Sequence, residues 1–359
     1  MSKGVKRKQT MYRLNLILFL LLFVFLLSCS TPPSQPIEGK PKHHTTQGFQ
    51  NYPPHESSRN TGIMFLFRRI WYSIFPQEMD IDYQLSEDAS LKKLEEAKGH
   101  NTLTWLGHAS FLIRLNGKNI LTDPLLTQFA APVPLLGPKR FSPPGISIEN
   151  LPPIDMVVIS HDHYDHLSAS TLESLQNKEK IEVVVPLKLK GFFLNIGYRH
   201  ITELDWHESV NIDGINFTAL PAIHHSGRGL FDLNKTLWAS WLIQVNQEKI
   251  YFSGDTAYSP TVFKDIGAKY GPIDWGLVSI GTYRPIESVG KNHLIPDQAV
   301  RVGVDLKAGN LVGMHWGTFN LSDEPPDEPP QLFIESGNSN ELSPKLWVMK
   351  IGETVLLQQ

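Results

Sequence analysis

The sequence predicts an α/β protein of the α+β four-layer type, in which two sheets form a sandwich that helices cover. From about residue 100, short strand patterns bounded by turn residues alternate with helical patterns. These patterns form two mixed halves, and a sandwich of two sheets accounts for such a pair of halves. Hydrophobic residues make up 41% of the 359 residues and charged residues 19%, so the chain can bury a full core.

The first half opens with three consecutive strand patterns. Asn116-Gly117, between the second and third patterns, is typical of a tight hairpin turn. Met-Val-Val-Ile-Ser at 156–160 has the composition of a buried strand. The elements predicted in this half are strands at 102–106, 110–115, 118–122, 156–160 and 182–185 and helices at 168–177 and 186–196.

The second half repeats this mixture of strands and helices. It begins with strand-rich sequence and continues with helical stretches that alternate with further strands. The predicted strands are 211–220, 237–245, 249–253, 275–280 and 311–314, and the predicted helices are 260–268 and 296–306.

Residues 1–28 have the composition of an export signal. Five basic residues and no acidic residue precede an apolar run from Leu14 to Leu27. This run is shorter than the roughly 20 apolar residues that a membrane-spanning helix needs. The run ends at Leu26-Leu27-Ser28-Cys29, which resembles the lipobox of bacterial lipoproteins, where the cysteine is lipidated. We therefore expect a membrane-anchored lipoprotein of the cell envelope, at the outer membrane or periplasmic face if the cell is Gram-negative. The alternative is an uncleaved signal anchor with an incidental cysteine.

Cys29 is the single cysteine of the chain. One cysteine excludes an internal disulfide and a zinc site built from several thiolates. Removing residues 1–28 would remove five basic residues, which changes the formal net charge from −3 to −8. Such an acidic protein is not expected to bind nucleic acid.

Residues 29–60 are rich in proline and polar residues and predict a flexible tether, with His43 and His44 as tether residues. Residues 61–99 form an N-terminal apolar and aromatic extension before the domain predicted at 100–359. Its segment 63–76 is strongly apolar with two central arginines. We expect this segment to pack on the core or on a second copy of the chain in a homodimer; the alternative is contact with the membrane surface.

The strongest chemical signal is a loop of metal-ligating side chains after the predicted strand at 156–160. In an extended turn, two histidines project to one side and can share a metal, while an aspartate and a third histidine reach a neighbouring position. Imidazole and carboxylate groups suit zinc. The loop reads His161-Asp162-His163-Tyr164-Asp165-His166.

This loop resembles the His-x-His-x-Asp-His signature of the metallo-β-lactamase superfamily. The segments Thr104–Ser110 and Ile120–Pro124 are similar to the opening strands of one branch, the N-acyl-phosphatidylethanolamine-hydrolysing phospholipase D family. The resemblance covers roughly residues 80–350. It implies the αββα sandwich of the superfamily.

The resemblance also implies two zinc ions per chain. The segments around His224, Asp255 and His315 match those that supply the later ligands, although His225 is an alternative to His224. One zinc would be held by His161, His163, His224 and Asp255. The other would be held by Asp165, His166, Asp255 and His315.

In the implied chemistry, a water between two zinc ions is acidified and attacks phosphorus or a carbonyl carbon. Asp165 and His293 are the predicted catalytic residues, with His293 at the leaving group or transition state. His108 and Asp162 are expected to orient the ligands from behind. Arg228 and Arg284 follow motif segments but are not assigned to the site.

The function that follows is a membrane-anchored phospholipase D that acts on a phospholipid and releases N-acylethanolamine and phosphatidic acid. One alternative is a zinc hydrolase of a small soluble lactone, ester or phosphodiester. Another is a non-catalytic envelope protein with a metal-stabilised fold. A nuclease is disfavoured by export and charge, and a di-iron protein by the histidine at position 163.

Overall fold

The computed structural model describes residues 34–56, 71–72, 74–75, 81–131, 137–229, 231–339 and 342–357. The predicted signal, Cys29 and most of the segment 63–76 lie outside the described residues. In the described part of the chain, we find no helix with the length and apolar character needed to cross a membrane.

The N-terminal sheet has seven strands in the order β16-β3-β4-β5-β6-β7-β8. Antiparallel pairing joins β16, β3, β4 and β5, and parallel pairing joins β5 to β8. The strands are β3 (Thr102–Gly107), β4 (Ser110–Leu115), β5 (Lys118–Thr122), β6 (Met156–Val158), β7 (Glu182–Pro186), β8 (His200–Leu204) and β16 (Thr354–Leu356).

The C-terminal sheet also has seven strands, in the order β15-β14-β13-β12-β11-β10-β9. Its antiparallel strands β9 to β12 continue into the parallel strands β12 to β15. The strands are β9 (Ser209–Ile212), β10 (Ile215–Leu220), β11 (Ser240–Val245), β12 (Glu248–Phe252), β13 (Ile273–Ser279), β14 (Ala308–Met314) and β15 (Lys345–Trp347).

Helices cover the outer faces of both sheets, which confirms the predicted four-layer sandwich. Trp105 and Phe111 of the N-terminal sheet pack with Phe217 and Trp241 of the C-terminal sheet in one buried core between the layers. A second core forms beneath the helices on the outer face of the N-terminal sheet. Among the described residues from 81 onward, the α-helices are α1 (Glu87–Glu96), α2 (Ala169–Ser174), α3 (Lys190–Asn195), α4 (Pro260–Lys269), α5 (Pro296–Asp305) and α6 (Glu328–Asn338).

Most predicted elements are present, but the strand predicted at 211–220 is a hairpin. Its turn residues Asp213 and Gly214 have φ values of +51° and +83°, and β9 and β10 pair through Ile212 and Ile215. An Asp-Gly pair with both φ values positive forms the tight turn that matches the twist of a hairpin. The Asp-Gly pair is visible in the sequence, but the apolar residues on both sides of it resemble one continuous strand.

The prediction of a flexible tether is wrong for residues 34–56, which we call the N-terminal strap. The strap contains β1 (His44–Thr45) and β2 (Gly48–Phe49), and it packs on the domain. His43 and Phe49 are buried, at 5% and 6% exposure. This polar segment is therefore stabilised by contacts with the domain, which its own composition does not predict. Helix α1 also buries Ser90 and Leu94 on the domain, so the folded unit begins before residue 100.

Three apolar side chains of the segment 63–76 are described, and all three are exposed. Trp71 is 60% exposed, Ile74 62% and Phe75 55%. The prediction that this segment packs on the core of the same chain is therefore wrong for these three residues. A second subunit and a membrane surface remain as the alternatives for them.

Candidate metal centre

The predicted ligands converge at one edge of the sandwich, where strands of both sheets end. His161 to His166 follow β6, His224 follows β10, Asp255 follows β12 and His315 follows β14. Rigid strands from both layers therefore deliver these side chains to one place. The loop from His161 to His166 could not form this cluster alone, because His224, Asp255 and His315 are distant from it in sequence.

Three histidines form the first group of converging atoms. Nε2 of His161 lies 2.8 Å from Nδ1 of His163, and Nε2 of His224 lies 3.3 Å from the same Nδ1. His225 has its ring 4.7 Å from the ring of His163, but it does not belong to the set whose ligand atoms converge. The geometry therefore favours His224 over His225.

Asp165, His166 and His315 form the second group. The Nε2 atoms of His166 and His315 are 3.1 Å apart. Oδ2 of Asp165 lies 3.5 Å from Nε2 of His166 and 3.4 Å from Nε2 of His315. Both imidazoles are buried, so these atoms face one another away from bulk water.

Asp255 lies between the two groups. Its Oδ2 is 3.2 Å from Nε2 of His166 and 3.8 Å from Nε2 of His224, and its Oδ1 is 3.2 Å from Nε2 of His315. The preceding Gly254 has a φ of +53°, and a Cβ there would lie 2.4 Å from Cβ of Ser160. Only glycine fits this close approach, which places the carboxylate of Asp255 between the groups.

Hydrogen bonds behind the ligands select the histidine tautomers. Nδ1 of His166 lies 2.7 Å from Oδ2 of Asp123, and Nδ1 of His161 lies 2.9 Å from Oγ of Ser160. Because Ser160 donates its hydroxyl hydrogen to Asp123, its oxygen accepts from His161. Protonation at Nδ1 leaves a lone pair on Nε2, which is the atom that each ring presents to the centre.

The two histidines from the C-terminal sheet are oriented in the same way. Nδ1 of His224 lies 3.0 Å from the carbonyl oxygen of Asn292. Nδ1 of His315 lies 3.2 Å from Oγ1 of Thr282. The sequence pattern does not identify these supporting groups or Asp123 and Ser160, although Asp123 directly follows the strand predicted at 118–122.

His108 and Asp162 both lie where an orienting role requires. Nε2 of His108 is 3.1 Å from Oδ2 of Asp165. Asp162 accepts hydrogen bonds from the backbone N–H of Gly227 at 2.7 Å and from Oγ1 of Thr236 at 2.7 Å. His108 therefore holds a ligand carboxylate, whereas Asp162 ties the metal loop to the loop after β10.

Several non-glycine residues at this edge have positive φ values. The values are +53° for His108, +36° for Asp123, +64° for Thr282 and +66° for His315. A positive φ is costly for a side chain with a Cβ, above all for β-branched threonine. Such strain is stored where side-chain direction matters more than local stability, and these four residues belong to the centre or support it.

Burial is the largest influence on the ionisation of the histidines. It lowers the pKa of His161 and His224 well below the ordinary value and that of His163 to about 3. Burial also opposes a charge on His166, but the carboxylates of Asp255 and Asp165 outweigh it and raise the pKa of His166 well above normal. The charges of the Asp165 and Asp255 carboxylates thus stabilise positive charge inside the centre.

The donor set fits divalent metal ions. On a tetrahedral zinc ion the ligand atoms lie roughly 3.3 Å apart, since each bond is about 2.0–2.1 Å long. The observed separations range from 2.8 Å between His161 and His163 to 3.8 Å between His224 and Asp255. Oδ1 of Asp255 is also buried with no hydrogen bond from any described residue. A cation would satisfy both this oxygen and the charge of the carboxylates.

His293 lies beside the centre and is still reachable from solvent. Its Nδ1 is 3.6 Å from Oδ2 of Asp255, and its side chain is 12% exposed. Burial is the main cause that lowers the pKa of His293 to about 4. This residue therefore presents a partly exposed imidazole beside the centre.

Both arginines near the motifs are bound by other groups of the protein. Nη1 of Arg228 donates to the carbonyl oxygens of Asp162 and Leu167, at 2.7 Å each. Arg284 forms an ion pair of 2.8 Å with Glu328. Both arginines hold loops, and leaving them out of the site is consistent with their contacts.

Comparisons with known proteins agree with this geometry. A family model described as "Beta-lactamase superfamily domain" matches residues 118–316, more than half of the chain. The chain belongs to the metallo-β-lactamase superfamily. It is 40% identical over 228 residues to an N-acyl-phosphatidylethanolamine-hydrolyzing phospholipase D of Caenorhabditis elegans, covering 61% of this chain and 64% of that protein.

A second relative and a solved structure extend the likeness. The mitochondrial N-acyl-phosphatidylethanolamine-hydrolyzing phospholipase D of Saccharomyces cerevisiae is 32% identical over 288 residues, covering 78% of this chain and 61% of that protein. The matches thus span less than two thirds of either relative. A metallo hydrolase of Ignicoccus hospitalis has the same fold, with a TM-score of 0.53 and 23% identity over 71% of this chain and 97% of its own.

The family match and the buried His/Asp clusters agree that this superfamily member has a centre suited to holding metal ions. The resemblance inferred from the metal loop and the opening strands is thereby confirmed at the level of the superfamily.

Proposed function

We propose that this protein is a phosphodiesterase of the phospholipase D type, which hydrolyses N-acyl-phosphatidylethanolamine to phosphatidic acid and N-acylethanolamine. The observation that carries the proposal is the convergence of seven His and Asp side chains at one sheet edge, in a chain similar to phospholipases named for that substrate. Each of these side chains comes from a motif that the resemblance assigned to metal binding.

The proposed cofactor is a pair of zinc ions. His161, His163 and His224 would hold one ion, Asp165, His166 and His315 the other, and Asp255 would contact both. Nitrogen and oxygen donors without thiolate suit zinc. Bound ions of this kind acidify a water molecule and neutralise charge on phosphate oxygens.

The remaining work falls to side chains of this chain. Asp165, held through His108, is positioned beside the converging imidazoles and can direct a water molecule by accepting its hydrogen bond. His293, partly exposed beside the centre, can donate a hydrogen bond to the oxygen of the leaving alcohol. Burial of the surrounding histidines excludes bulk water, which strengthens each of these contacts.

The direct test is an assay of the zinc-loaded protein on N-acyl-phosphatidylethanolamine in mixed micelles. We expect zinc-dependent release of phosphatidic acid. We also expect His163→Ala to reduce the rate more than about 100-fold, because it removes a proposed metal ligand, and loss of an outer-shell partner alone typically costs about 10- to 100-fold. Lys98→Ala, which removes an exposed ion pair with Glu95, is the control and should retain full activity. Turnover of a lactone, ester or simple phosphodiester without phospholipid cleavage would favour the small-substrate hydrolase instead.

Membrane anchoring through lipidated Cys29 is the second part of the proposal. Only four residues lie between Cys29 and Ser34, where the described strap begins, and covalent geometry limits the span of these five Cα–Cα steps to about 18 Å. An anchor there would hold the folded domain close to the lipid surface that contains the proposed substrate.

The Cys29→Ser variant should move the protein from the membrane fraction to the soluble envelope fraction, because a serine cannot carry the thioether-linked lipid. The neighbouring Ser30→Ala variant is a matched control and should remain in the membrane fraction. Retention of Cys29→Ser in the membrane would show that an uncleaved apolar segment holds the protein instead.

A further inference from the structure

The N-terminal strap, residues 34–56, is bound to the domain at several points far from its own sequence. Nε2 of His43 and Nε2 of His44 each lie 2.6 Å from a different oxygen of Asp205. The ring of His43 stacks on Trp206 with centroids 4.2 Å apart. The backbone N–H of Phe49 donates to the carbonyl oxygen of Asn234 at 2.8 Å. These contacts dock the strap independently of the metal centre.

Beyond these anchors, the strap reaches a ligand. Nδ2 of Asn51 donates to the carbonyl oxygen of His224 at 2.8 Å. The backbone N–H of His224 donates to Oδ1 of Asn51 at 3.0 Å. One side-chain amide thus satisfies both polar groups of the backbone of this residue, in the way that a neighbouring strand would.

The strap also contacts the loop that orients the same ligand. Nε2 of His55 lies 2.6 Å from the carbonyl oxygen of Lys291. The next carbonyl along the chain, that of Asn292, accepts from Nδ1 of His224 at 3.0 Å. Residues 51 and 55 therefore hold the backbone of His224 and the loop that sets the direction of its ring.

We infer that Asn51 is a positioning residue of the metal centre, which fixes the backbone of His224 so that Nε2 of that ring stays in place for a metal ion. The inference rests on the proposed metal-binding role of His224. It gives the strap a function in the site, in addition to its packing. The contacts behind the other histidines explain the need for Asn51. His161 and His166 are held by residues next to buried strands, whereas His224 is in a loop beyond β10.

The test compares Asn51→Ala with Gln50→Ala. Gln50 is the neighbouring amide of the strap, and its Nε2 donates to the carbonyl oxygen of Lys42 within the strap. Zinc affinity is measured by competition with a chromophoric chelator, and the visible spectrum of the cobalt-substituted protein reports ligand geometry. Loss of an outer-shell partner typically weakens metal affinity about 10- to 100-fold, so we expect this loss for Asn51→Ala and no change for Gln50→Ala.

Two further variants make the result decisive. Asn51→Asp keeps the shape and the acceptor for the N–H of His224 but loses the donor to its carbonyl, so it should weaken zinc affinity even if Asn51→Ala does not fold. Zinc affinity and a cobalt spectrum equal to wild type in a folded Asn51 variant would overturn the inference. His224→Ala separates the two proposals: if it leaves zinc affinity unchanged, the ligand assignment fails, and the role of Asn51 fails with it. If it weakens zinc binding while the Asn51 variants do not, only the role of Asn51 fails.

Discussion

Asp255→Asn should abolish most of the hydrolase activity and of the metal content together. Asp255 approaches predicted ligands of both groups, at 3.2 Å from His166 and from His315 and at 3.8 Å from His224. Burial would raise the pKa of Asp255, but the neighbouring His166 and His315 hold it well below normal, so the wild-type side chain is charged. Asparagine keeps the shape and removes that charge.

The expected loss is more than about 100-fold in kcat/KM, since outer-shell partners alone cost about 10- to 100-fold and Asp255 contacts the ions directly in the proposed site. Metal content after gel filtration should also fall. Asp274→Asn is a matched control, because the carboxylate of Asp274 accepts a backbone hydrogen bond from Lys249 at 2.8 Å far from the centre. Full metal content and activity in Asp255→Asn would refute the bridging position of this residue.

Asp123→Asn is expected to have the next largest effect, although Asp123 is not one of the proposed metal ligands. The buried carboxylate accepts from the backbone N–H and hydroxyl of Ser160 and faces Nδ1 of His166 at 2.7 Å. The amide group of asparagine would present donor hydrogens to one of these donors. His166 would then change tautomer, and its Nε2 would carry a hydrogen where a metal needs a lone pair.

For Asp123→Asn we expect metal affinity to fall about 10- to 100-fold, with a matching loss of activity at limiting zinc. Activity at saturating zinc should recover in part, because added metal competes with the wrong tautomer. Asp155→Asn is the control, since Asp155 precedes β6 and accepts from the backbone N–H of Asn119 at 2.9 Å on the opposite edge. Unchanged zinc affinity in Asp123→Asn would show that His166 is oriented by other groups.

The sequence was sufficient to predict those parts of the centre that are local. The loop from His161 to His166 is contiguous, so its residue types and spacing already indicate metal binding. The later ligands each followed a predicted strand, and their order along the chain matched a known pattern. The sandwich itself followed from alternating strands and helices, since these patterns depend on residues close in sequence.

The supporting contacts depended on long-range packing and could not be predicted in this way. Thr282 has no feature in the sequence that marks it as the partner of His315, and Asn51 lies in a segment whose composition predicts a tether. The hydrogen bonds of Asn51 to His224 span 173 residues. The composition of a segment indicates how much apolar surface the segment can bury by itself. It does not indicate whether another part of the chain provides a surface on which the segment packs.

The residues alone therefore determined the fold class, the metal-binding loop and the set of side chains available for a His/Asp centre. Tertiary structure decided which nitrogen of each histidine faces the centre, that Asp255 lies between the two groups, and that the strap belongs to the site. The physical reason is distance along the chain: His166 and His315 are 149 residues apart in sequence and 3.1 Å apart in space. Only the packing of two sheets fixes such a distance, and the chemistry of the centre depends on it.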